Sequence, residues 1–146
     1  MTWIEKEVPS LKLCKRLKKL GFPQEGKGEF WEGFWWVRSF MQDWQVSYGI
    51  RAGWAKGNEE KYIKAPTVRE LGEWLPVEVE IEGNCYHLKF SQSLDNDNYI
   101  YWYEDSNDNT LDNFYAIADT EANARAKILI WLIENGYINL KEKKDN

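Results

Sequence analysis

Between residues 77 and 90 the chain alternates with a period of two. Val77, Val79 and Ile81 interleave with Glu78, Glu80 and Glu82; after Gly83-Asn84, Tyr86, Leu88 and Phe90 interleave with Cys85, His87 and Lys89. Successive side chains of a strand point to opposite faces, so the pattern predicts a β-hairpin turning at Gly83-Asn84, with one apolar and one polar face. The apolar face needs a cover, and the rest of the chain must supply it.

Asx-rich segments at 95–98 and 106–109 read as further turns. They frame strands at 99–104 and around 114–118, so residues 77–118 are expected to form an acidic antiparallel meander. Strand 99–103 is apolar on both faces, with Ile100 and Trp102 on one and Tyr99, Tyr101 and Tyr103 on the other. Such a strand is either covered on both sides or covered on one and functional on the other. A helix over 120–135 follows, capped at Asp119-Thr120 and stopped at Asn135-Gly136. Its second half, Ile128-Leu129-Ile130-Trp131-Leu132-Ile133, is apolar all round. A helix of that kind is buried on most sides, here by the sheet or by a second subunit.

The N-terminal half supplies the other elements. Ser10 caps an amphipathic helix over 9–21, with Leu13, Cys14, Leu17 and Leu20 on one face and five cations on the rest. Gly21 and Pro23 end it, and 24–28 is a loop. Residues 29–39 and 44–52 are read as aromatic strands, 53–60 as a polar loop, and 67–75 as a short helix. Thr67 and Glu70 stand at capping-box spacing in that helix. The expected fold is α+β: an antiparallel sheet from 77–118 with the C-terminal helix packed on one face. The N-terminal helix and the aromatic strands either extend that sheet or cap it. The length fits a single domain over 1–146, with a charged tail at 141–146.

Composition narrows the classes of function. No apolar run approaches the roughly 20 residues of a membrane span, and residues 1–7 lack the features of a signal peptide. A cytoplasmic protein with free thiols at Cys14 and Cys85 is expected. The net charge of −5 is unevenly spread. Residues 1–76 carry 13 Lys/Arg against 10 Asp/Glu, whereas 77–146 carry 6 against 14. Direct nucleic-acid binding, which rests on neutralising phosphates, is not expected of so acidic a chain.

The usual catalytic and ligand motifs are missing. The one histidine, His87, falls on the polar face of the hairpin beside Glu80 and its neighbours, as solvated surface pairs do. Gly26-Lys27-Gly28 has no P-loop spacing after it. Asp105, Asn107 and Asn109 resemble the start of a calcium loop. Thr110 stands where that loop needs glycine, and Ala116 where it needs its closing glutamate, which leaves an Asx-rich turn. Two Cys and one His form no zinc pattern. No metal, cofactor or catalytic residue is expected.

Two surfaces remain as candidates, and both draw on the nine Trp, eight Tyr and six Phe. A chain this small can hide only part of that aromatic area. In the first, Glu78, Glu80 and Glu82 steer a basic protein partner, and Tyr99, Tyr101 and Tyr103 anchor it. Such a surface can imitate nucleic acid, or it can receive the basic first helix of a second subunit. In the second, Trp31, Trp35 and Trp36 stack a nucleotide-like ligand, while Arg38 or Arg51 meets its phosphate. A structural oligomer without any ligand is a third reading.

Four segments taken together carry a resemblance. They are Pro9-Ser10-Leu11-Lys12-Leu13-Cys14-Lys15-Arg16-Leu17-Lys18-Lys19-Leu20-Gly21 with the Trp-rich strand after it, Ala65-Pro66-Thr67-Val68-Arg69-Glu70-Leu71-Gly72-Glu73-Trp74-Leu75-Pro76, and Asp119-Thr120-Glu121-Ala122 through Glu134-Asn135-Gly136. In this order they resemble uncharacterised small proteins encoded by bacterial phages, prophages and mobile elements. The resemblance implies a setting, an accessory role in a bacterial cytoplasm, and no catalytic or binding residues.

Overall fold

A computed structural model describes residues 3–140; the charged tail at 141–146 lies outside the described residues. Helices α1 (Trp3–Glu7) and α2 (Leu11–Lys19) lead into strands β1 (Phe30–Arg38) and β2 (Trp44–Arg51). The short helix α3 (Ala52–Ala55), strand β3 (Tyr62–Ala65) and helix α4 (Val68–Trp74) follow. The meander is β4 (Glu78–Ile81), β5 (Asn84–Gln92), β6 (Tyr99–Glu104) and β7 (Ala116–Ala118), and helix α5 (Glu121–Glu134) comes last. The fold is α+β, as the sequence predicts, with two separate antiparallel sheets ordered β2-β1-β3 and β4-β5-β6-β7.

The helix boundaries follow from local chemistry. The hydroxyl of Ser10 accepts from the Leu13 N–H at 3.3 Å, and that of Thr120 from the Asn123 N–H at 3.1 Å. Thr67 and Glu70 form the reciprocal capping box, each side chain accepting from the other's backbone N–H at 3.1 Å. Each bond satisfies a first-turn donor that the helix itself leaves unpaired.

Three expectations change. The aromatic strands neither extend nor cap the meander; they form their own sheet by pairing with β3, which lies just beyond the segment read as a loop. Four residues, Tyr62-Ile63-Lys64-Ala65, are too short a run for periodicity to reveal. That loop itself begins with the turn of helix α3. The hairpin turns at Glu82-Gly83, one residue early. Ile81 pairs with Asn84, and the two turn residues have φ of 51° and 83°. A two-residue hairpin loop with both central residues at positive φ matches the twist of its strands, so Glu82 is drawn out of the strand.

The main core lies between the meander and α5. Ile128, Leu129 and Leu132 are fully buried, as are Leu17 of α2 and Leu71 of α4. The sheet covers one side of α5, and α2 and α4 cover others, so the apolar helix is buried within one chain. Arg125 secures the arrangement. Its Nε donates to the Tyr101 hydroxyl at 3.0 Å and its Nη1 to the Val68 carbonyl at 2.7 Å, joining β6, α5 and α4. The three-stranded sheet has a small core on each face. One holds Trp31, Trp35, Ile50 and Tyr62; the other holds Val8, Cys14, Ile63 and Ala65.

Candidate functional site

Register decides which side chains of the meander share a face. Glu78 pairs with His87 and His87 with Glu104; Glu80 pairs with Cys85, and Lys89 with Trp102. These residues, with Ile100 and Ile117, form the outer face, and none of them is buried. The inner face carries Val79, Tyr86, Leu88, Tyr101 and Tyr103 against the main core.

The acids and the tyrosines therefore lie on opposite faces, and the structure does not bring the first candidate surface together as drawn from sequence. Tyr101 and Tyr103 are core residues, exposed by only 4% and 1%, and Tyr99 is half-buried. The Tyr103 hydroxyl donates to the Pro76 carbonyl at 2.8 Å, and that of Tyr101 to the Glu121 carboxylate at 2.7 Å. Burial, reinforced by Glu121, pushes the Tyr101 phenol up to about 12. Burial alone raises Tyr103 further. Of the three glutamates, Glu78 and Glu80 stand exposed on the outer face, and Glu82 sits in the turn.

The aromatic neighbours of the acids are Trp102 and Tyr115. Their rings meet at 5.7 Å, and the Trp102 indole N–H donates to the Glu104 carboxylate at 3.1 Å. Tyr115 and Ile117 are 47% and 45% exposed, so this face offers apolar surface beside its carboxylates. The sequence held the signal for Trp102, which has opposite parity to the tyrosines. Choosing the face required the pairing of Phe90 with Tyr101 across a long turn.

The second candidate surface is dispersed. Trp31 and Trp35 are buried, and Lys64 Nζ sits 5.0 Å from the Trp35 ring. Trp36 lies on the other face of β1, its indole N–H donating to the Pro9 carbonyl at 3.1 Å. The Arg38 guanidinium rests over Trp44 at 5.8 Å. Arg51 is exposed beside Trp54, which is 39% exposed and whose ring meets that of Tyr62 at 6.2 Å.

His87 Nδ1 stands 3.8 Å from Glu78, and both side chains are about half exposed, at 50% and 58%. Asp105 anchors its turn: one carboxylate oxygen accepts from the Asn107 and Asn109 N–H groups at 2.9 Å, the other from the side chains of Asn84 and Asn109. These bonds, that of Asn84 first, hold its carboxyl below the ordinary aspartate value. Burial lifts the Cys14 thiol to about 12, leaving it un-ionised, and Cys85 is also unpaired. Among the described residues no His, Cys, Asp and Glu group is placed to hold a metal, and no helix is long and apolar enough to cross a membrane.

Compared with protein-family models, curated proteins and solved structures, the chain matches none.

Proposed function

We propose that the chain is a non-enzymatic binding protein that docks a basic protein surface on the outer face of its four-stranded sheet. The reading rests on one coincidence: Glu78, Glu80 and Glu104 share an uncovered face with Trp102 and Ile117, and Tyr115 borders it. Carboxylates at the rim steer and orient a cationic partner, while a half-buried aromatic supplies the desolvated anchor. The resemblance to phage and prophage proteins adds the setting, an accessory role toward a host or phage protein in a bacterial cytoplasm. The nucleotide-like alternative has less support, since its rings are buried or turned apart.

The test is capture from bacterial lysate by the tagged protein and by two variants, Glu78→Lys/Glu80→Lys and Trp102→Ala. The native protein is expected to retain a basic protein in dilute buffer. Raising the salt to about 0.5 M, where the Debye length falls to about 4 Å and attraction beyond direct contact is screened, should release it. The charge-reversed variant should melt like the native protein, and both variants should lose that partner. Equal capture by the charge-reversed variant would remove the outer face from consideration.

A further inference from the structure

A second surface carries the opposite charge. An open groove of about 900 Å³ runs between α2 and the β7–α5 side of the main core. Its floor is apolar: Leu13, Ile130 and the Phe114–Trp131 pair, whose rings stack in parallel at 4.6 Å and 4°. That volume and lining are those of small-molecule sites, in which an apolar floor binds and a few polar groups orient.

The rim is cationic. Lys12, Lys15, Arg16 and Lys19 come from α2 and Lys127 from α5, with Glu134 the one acid among the lining residues. Glu134 is already neutralised by its ion pair with Arg16. Lys15 lies over the Trp44 ring at 5.3 Å, and Lys127 donates to the Ile117 carbonyl at 2.8 Å. Lys12 and Lys19 have no acidic partner among the described residues. Seven residues apart on α2, they project from one stripe of the helix about two turns apart. An apolar concavity edged by uncompensated cations, in a chain of net charge −5, selects for a ligand that is both apolar and anionic.

We propose that this groove binds a soluble amphipathic anion, an apolar chain or ring system ending in a carboxylate or phosphate ester. The apolar body lies on the Phe114–Trp131 stack and against Leu13 and Ile130. The head group meets the free ammonium groups of Lys12 and Lys19. The groove adjoins the outer face through Tyr115 and Ile117, while its apolar floor and its cations share no residue with that face's carboxylates.

The experiment titrates the full chain with dodecanoate, dodecyl phosphate, dodecanol and dodecylammonium, all below their micellar concentrations. Phosphatidylglycerol vesicles form a separate arm. Both anions are expected to bind about tenfold or more tighter than the alcohol, as charge-assisted contacts require. Dodecylammonium should bind worst. The exposed double variant Lys12→Glu/Lys19→Glu should keep its melting temperature and lose the preference for anions. A bromine-tagged dodecanoate should quench tryptophan emission, with the loss absent in Trp131→Phe, which places the chain on the floor. Equal affinity for alcohol and anion, quenching unchanged in Trp131→Phe, no binding, or binding only to vesicles would each overturn the proposal.

Discussion

Asp105 shows how much one side chain can organise. Its carboxylate accepts three hydrogen bonds from Asn107 and Asn109 of its own turn and a fourth from Asn84 at the start of β5, tying the turn to the neighbouring strand. Because the folded protein holds this group below its ordinary value of 3.8, the native state favours the ionised form. Its stabilisation is complete above the unfolded carboxyl's titration and is lost as pH falls through the folded value. Asp105→Asn is expected to melt lower than the native chain at neutral pH. It should also show a shallower further loss between about pH 2 and 4, read from thermal melts across that window. At the same scale, Tyr101 and Tyr103 show why residue type alone misleads. Tyrosine suits a wet interface and an interior alike, provided its hydroxyl finds a partner, and here Glu121, Arg125 and Pro76 are those partners.

Among the elements, α4 is the one whose sequence most fully accounts for it. Its capping box is complete, and one buried residue, Leu71, docks it on the main core. Thr67→Ala removes the acceptor for the Glu70 N–H, and a loss of about 1 kcal/mol is expected in urea unfolding. Serine at the same position should restore most of it. The strands of the three-stranded sheet are different. Their residues are aromatic at both parities, and no alternation marks an inner face, because both faces of that sheet carry a small core. The irregular register near Gly33 also breaks whatever period remains. At Gly49, whose φ is 75°, a side chain would collide with the Phe30 ring, so that crossing depends on glycine.

For the molecule as a whole, α2 is the joint between the two sheets. Leu17 enters the main core, while Cys14 packs with Ile63 and Ala65 of β3. The Ser10 N–H donates to Asn123 at 2.8 Å, and Arg16 pairs with Glu134, so α2 is tied to α5 near both ends. A single cooperative unit is expected. Leu17→Ala, at a fully buried site, is expected to cost about 2–5 kcal/mol. It should shift the far-ultraviolet transition and the tryptophan transition together, since the tryptophans report mainly on the three-stranded sheet. Two separated transitions would mean that the sheets unfold independently. The sequence by itself determined the helix caps, the hairpin, the meander, the α+β class and the polarity of charge along the chain. Each of these is a matter of neighbours within a few residues, where spacing and hydrogen-bonding capacity act directly. Tertiary structure alone decided that Tyr101 and Tyr103 turn inward while Trp102 turns outward beside the acids. It also decided that β3 completes a second sheet, and that the cations of α2 edge an apolar groove. Those outcomes depend on register across long turns and on which surfaces meet, and no local period in the chain encodes either.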